Sequence, residues 1–128
     1  MVASALADVA VIVVFVLVGR ASHAEGETLG GVLGVMAPFL LALTAAWVAG
    51  GVWRRPRGLR TGLTVWAATW LGGMALRRVV FTRSTALAFV IVGGVFLGLG
   101  LLGWRWVTSL VTARRARPAA VAARPGGD

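Results

Sequence analysis

The stretch VAVIVVFVLV at residues 9–18 is apolar throughout, with Asp8 before it and Gly19-Arg20 after it. Extended to residues 2–19, it approaches the length a helix needs to cross a hydrocarbon core of about 30 Å at 1.5 Å per residue. Three further segments read the same way, at about residues 31–53, 61–76 and 85–104, and almost every charge lies in the gaps between them. The pattern predicts an all-α polytopic integral membrane protein, a bundle of four transmembrane helices within residues 1–110. A basic tail at 111–128, rich in Arg, Ala, Pro and Gly, is expected to be disordered.

Composition agrees with lipid as the solvent. The 128 residues are 59% hydrophobic and only 13% charged, whereas soluble domains carry about a quarter charged residues. So short a chain cannot hide that much apolar surface in a water-soluble core. A signal peptide is the competing reading of the first segment, since Ser22-His23-Ala24 loosely resembles a cleavage site. The segment before its core lacks positive charge and carries Asp8, and Arg20 precedes the cut, so a retained helix is favoured.

All thirteen basic residues are arginine, and cysteine is absent. Disulfides, thiol nucleophiles, iron–sulfur clusters and cysteine-ligated zinc are thereby excluded. A net charge of +9 can indicate nucleic acid, but here the arginines flank apolar spans and do not cover one face of a soluble fold, so no nucleic-acid partner is expected. They read as topology signals and contacts to anionic lipid.

With four spans, one end of the bundle carries Arg54, Arg55, Arg57, Arg60, Arg105, Arg114, Arg115, Arg117 and Arg124. The other carries Arg20, Arg77, Arg78 and Arg83. Arginine favours cytoplasmic loops, so this bias puts both termini in the cytoplasm, N-in and C-in, at a bacterial plasma membrane.

Asp8 is the most informative residue, because an aspartate at the centre of a spanning helix costs on the order of 2.5–3.5 kcal/mol. One reading makes it a protonatable carboxylate that exchanges a proton against a substrate. The other, favoured by its off-centre position, makes it structural, hydrogen-bonded to Ser4, Thr61 or Thr64 or paired with Arg60 or Arg105. A second constellation lies at the opposite end: Arg20, Ser22, His23, Glu25 and Glu27, with Arg77 and Arg78. It could hold an anion or phospholipid headgroup between Arg20 and Arg77, or close on itself as salt bridges to the two glutamates. Trp47, Trp66 and Trp70 could form an aromatic wall, or simply packed bulk.

One histidine with two glutamates is a poor metal or haem set, and no cofactor is expected. Neither a buried serine with a basic partner nor two facing carboxylates is present, so no catalytic constellation is expected. Small residues four apart, Ala3 and Ala7, Ala46 and Gly50, Ala68 and Gly72, Gly94 and Gly98, suit close helix approach in lipid.

The order of these segments resembles the domain of unknown function 3054 family, small bacterial membrane proteins with no assigned activity. The resemblance rests on Asp8, Gly19-Arg20 with Ser22-His23, Pro38-Phe39, Arg54-Arg55-Pro56, and Thr61-Gly62 with Trp66, Thr69, Gly72-Gly73-Met74 and Leu76-Arg77. Phe89 and Leu102-Gly103-Trp104-Arg105 complete it. It covers about residues 5–110 and implies a four-helix membrane fold without implying a chemistry. Two functions fit the residues. One is a structural or accessory protein that binds a headgroup, small anion or partner; the alternative is a small proton-coupled transporter acting as a homodimer through Asp8.

Overall fold

The computed structural model describes residues 1–21, 28–81 and 86–123. Four helices make up these segments: α1 (Val2–Ala21), α2 (Leu29–Gly50), α3 (Leu59–Val79) and α4 (Leu87–Ala122). Thr28 caps α2 by accepting a hydrogen bond from the Gly31 N–H at 3.2 Å. Gly51 ends that helix at φ +57°, a left-handed position that glycine adopts without steric penalty, and its N–H donates to the Trp47 carbonyl. A 3₁₀ turn at Val52–Arg54 follows, with Arg54 N–H on Gly51 O and Arg55 N–H on Val52 O. The α2–α3 link is therefore tight, and Val52 is buried under it.

The helices form a closed ring in the order α1, α2, α3, α4, each packed on its two neighbours. Neighbours run antiparallel, as the contacts show. Asp8 meets Trp47 and Phe15 meets Phe39 between α1 and α2; Trp66 meets Gly94 and Trp70 meets Val90 between α3 and α4. The N-terminus, the α2–α3 link and the C-terminal part of α4 thus share one end of the bundle. Phe15 centres the core, in edge-on contact with Phe39 at 5.4 Å and tilted against Phe89 and Phe96 at 5.9 and 5.6 Å. Outside, Leu17, Leu41, Leu63, Leu71, Ile91 and Leu99 are exposed, an apolar belt compatible with a membrane surrounding.

One expectation is met in part and another changes. Three helices, α1, α2 and α4, are long and apolar enough to cross a membrane. The third is long enough at 21 residues, but Arg60, Arg77, Arg78 and three threonines make it less apolar. The fourth helix does not stop near residue 104; it continues to Ala122, so the expected disordered tail is helical over residues 111–122. Alanine and arginine are strong helix formers, and Thr112 Oγ donates to Thr108 O along this stretch without interrupting it.

Candidate functional site

Asp8 and Arg105 meet at the end of the bundle that carries the N-terminus, and neither side chain is exposed. Arg105 grips the carboxylate with both terminal nitrogens, Nη1 to Oδ1 at 2.7 Å and Nη2 to Oδ2 at 2.8 Å. Two indoles complete the set: Trp104 Nε1 donates to Oδ1 at 2.9 Å and Trp47 Nε1 to Oδ2 at 3.0 Å. Each carboxylate oxygen therefore accepts two hydrogen bonds, which fills the four lone-pair positions of an ionised aspartate.

The guanidinium is equally engaged. Its Nε donates to Pro56 O at 2.9 Å and Nη1 also donates to Leu101 O at 2.7 Å, while its central carbon lies 4.4 Å from the Trp104 ring. Gly62 of α3 makes room for this side chain, since a Cβ there would stand 2.8 Å from Arg105 Cδ. The clasp thus joins α1, α2, the α2–α3 link and α4, with α3 shaped around it. A buried ion pair is tolerated when further hydrogen bonds satisfy both ions, as happens here.

Every acceptor position of the Asp8 carboxylate is thus taken by a donor from α2 or α4. Substituting Trp47 or Trp104 by phenylalanine keeps an aromatic ring and removes one donor to a charged group. Each change is expected to lower stability by about 1.5–3 kcal/mol, read from unfolding in mixed detergent micelles. Indifference to both changes would mean that the indoles merely pack.

The three tryptophans do not make one wall. Trp47 serves Asp8, whereas Trp66 and Trp70 stack on each other at 5.5 Å with a 9° interplanar angle. Their Nε1 groups donate to Gly94 O and Val90 O of α4 at 2.9 and 3.0 Å. The glycine pair foreseen as a helix-approach motif instead seats these indoles: a Cβ on Gly94 would lie 2.7 Å from Trp70 Cε2, and one on Gly98 3.2 Å from Trp66 Nε1. In a helix the side chain at i+4 flanks the carbonyl of residue i, so glycine at 94 and 98 opens the carbonyls of Val90 and Gly94 to the indoles.

Of the cluster expected at the opposite end, Ser22, His23, Glu25 and Glu27 lie outside the described residues. Arg20 is buried against the start of α2, where a Cβ on Gly31 would come within 2.6 Å of its Nη2. Arg77 lies over the Phe89 ring at 4.5 Å, and Arg78 is exposed. Thr64 donates to Arg60 O at 3.1 Å, and the buried Thr69 Oγ has no hydrogen-bond partner among the described residues.

Trp47 and Trp104, which donate to Asp8, and Pro56, which accepts from Arg105, are members of the clasp that the sequence did not assign to it. The only hint was that tryptophan is a donor able to remain in an apolar environment.

A family model described as a protein of unknown function (DUF3054) matches residues 5–108, which include every member of the clasp. No match is found among curated proteins or among solved structures.

Proposed function

We propose that this chain, which belongs to the DUF3054 family, is a structural or accessory membrane protein, built as four spanning helices with both termini in the cytoplasm of a bacterial cell. The observation that carries the reading is the use of Asp8: the buried acid is saturated by donors that hold the bundle together. The apolar belt faces lipid. The third helix joins the other three in the membrane because its indole N–H groups are satisfied inside the bundle, and Arg60, Arg77 and Arg78 sit at its ends near the headgroups.

Orientation is tested directly, because the chain has no cysteine of its own. Single cysteines at the exposed positions Arg57, Ala116 and Val80 report on the two ends of the bundle. A membrane-impermeant thiol reagent added to intact cells is expected to label the cysteine at Val80 and spare those at Arg57 and Ala116 until the cells are broken. The reverse pattern overturns the orientation, and labelling of all three in intact cells overturns the spanning arrangement.

The end carrying Arg20, Arg77 and Arg78 is proposed to engage an anion or a lipid headgroup. Reconstitution with and without anionic lipid tests this against an Arg20→Ala, Arg77→Ala double variant; equal stability of both proteins in both lipids removes the proposal. A proton-coupled homodimeric transporter would need Asp8 to exchange a proton with a substrate, and the four donors on its carboxylate oppose that use.

A further inference from the structure

An apolar groove of about 600 Å³ runs between α3 and α4 on the outside of the bundle, lined by Leu63, Trp66, Gly98, Leu99, Gly103 and Trp106 among others. From Gly94 to Trp106 it follows α4 for about 18 Å at 1.5 Å per residue, a little more than one leaflet of a hydrocarbon core of about 30 Å. It is open at Gly103, where nothing lies within 4 Å of an added Cβ.

Past Trp106 the surroundings turn polar. A second hollow is lined by Arg57, Thr108, Ser109, Thr112, Ala113 and Ala116. Ser109 and Ala113 stand three and seven residues beyond Trp106, so the second hollow continues the same face of α4. Trp106 is exposed at the junction, the usual place of an indole between hydrocarbon and headgroups.

Charge decides the occupant. Arg54, Arg55, Arg57, Arg60, Arg114, Arg115 and Arg117 are all exposed at this end. The one acid described there, Asp8, is consumed by Arg105. A zwitterionic lipid would leave this field uncompensated, whereas a phosphodiester with net negative charge answers it.

We propose that the α3–α4 groove binds one anionic phospholipid, an acyl chain lying along Gly98 and Gly103 and the phosphate resting on Arg57. The proposal rests on the chain being embedded in a membrane and adds a defined lipid site to it. The Arg57 guanidinium supplies the donors. The Ser109 hydroxyl, which donates to Trp106 O at 2.7 Å, can exchange that bond for one to a phosphate oxygen.

The test is native mass spectrometry of detergent-purified protein titrated with phosphatidylglycerol, with phosphatidylcholine of the same chains, and with glycerol phosphate. Wild type is expected to prefer phosphatidylglycerol by about tenfold, and glycerol phosphate to leave no adduct. Arg57→Ala, on an exposed loop, and Gly103→Leu, which fills open groove, are each expected to weaken phosphatidylglycerol by about five- to tenfold. Arg115→Ala lies outside both hollows and is expected to change it by less than about twofold. Equal affinity for the two lipids overturns the site. So does an Arg115→Ala effect as large as that of Arg57→Ala, which indicates diffuse attraction. Glycerol phosphate binding as tightly as the lipid would mean a free-anion site. These results leave the membrane reading intact, because its own test is the thiol labelling above.

Discussion

Arg105→Ala is expected to destabilise the bundle by about 3–5 kcal/mol, because it strands a buried carboxylate that has lost its counterion and two of its four donors. The loss is larger than for an exposed ion pair, where the median worth is about 0–1 kcal/mol. Both partners here are inaccessible to solvent. The Pro56 and Leu101 carbonyls also lose their Arg105 donor, so the α2–α3 link loosens together with α1. Asp8→Ala should be similarly severe, since it leaves a buried guanidinium and two indole N–H groups without their acceptor. The informative variant is the double replacement, Asp8→Leu with Arg105→Met. Removing both charges ends the desolvation penalty, so the double variant should be more stable than either single one while remaining below wild type. Reversible unfolding in mixed detergent micelles gives all four corners of this cycle. Arg105→Ala within about 1 kcal/mol of wild type would show that the pair does not hold the helices.

The clasp also shows where sequence reading reaches its limit. Asp8 stood out because a carboxylate in an apolar span must be compensated, and that argument needs no structure. Arg105 was among the partners named for it, but its neighbours Trp104 and Trp106 were given no part in that pairing. The three residues divide the roles: Arg105 points inward, Trp104 reaches the carboxylate, and Trp106 stays exposed. Periodicity assigns residues to faces of one helix but not the rotation of that helix against its neighbours. For the same reason Trp47 was grouped with Trp66 and Trp70, although it lies in a different contact. The α4 extension was missed on composition: Arg, Ala and Pro after Ala113 resemble a solvated tail, and exposed alanine and arginine also sustain a helix without any packing. The up-and-down alternation of the helices, by contrast, followed from four apolar segments joined by short links.

Glycines 94, 98 and 103 recur along one helix, and the seating of the indoles predicts three different outcomes for the same substitution to alanine. At Gly94 the new methyl would stand 2.7 Å from Trp70 Cε2 and 2.8 Å from Cζ2, both in a ring held by its own hydrogen bond to Val90 O. The ring cannot retreat without surrendering that bond or its stack on Trp66, so Gly94→Ala is expected to cost about 1–3 kcal/mol, the range for overpacking. At Gly98 the nearest indole atom would be 3.2 Å away, and a shift of a few tenths of an ångström relieves it, so the loss should be smaller. At Gly103 nothing is met, and alanine should stabilise the helix by about 0.5–1 kcal/mol through lost backbone entropy of the unfolded chain. Trp70→Leu should abolish most of the Gly94→Ala penalty, because the clashing atoms are gone. Chance glycines in an alanine- and glycine-rich chain would instead give three similar values, and the Trp70 background would change none of them. Micelle unfolding of the three alanine variants in wild-type and Trp70→Leu backgrounds therefore separates a seat for indoles from mere compositional bias.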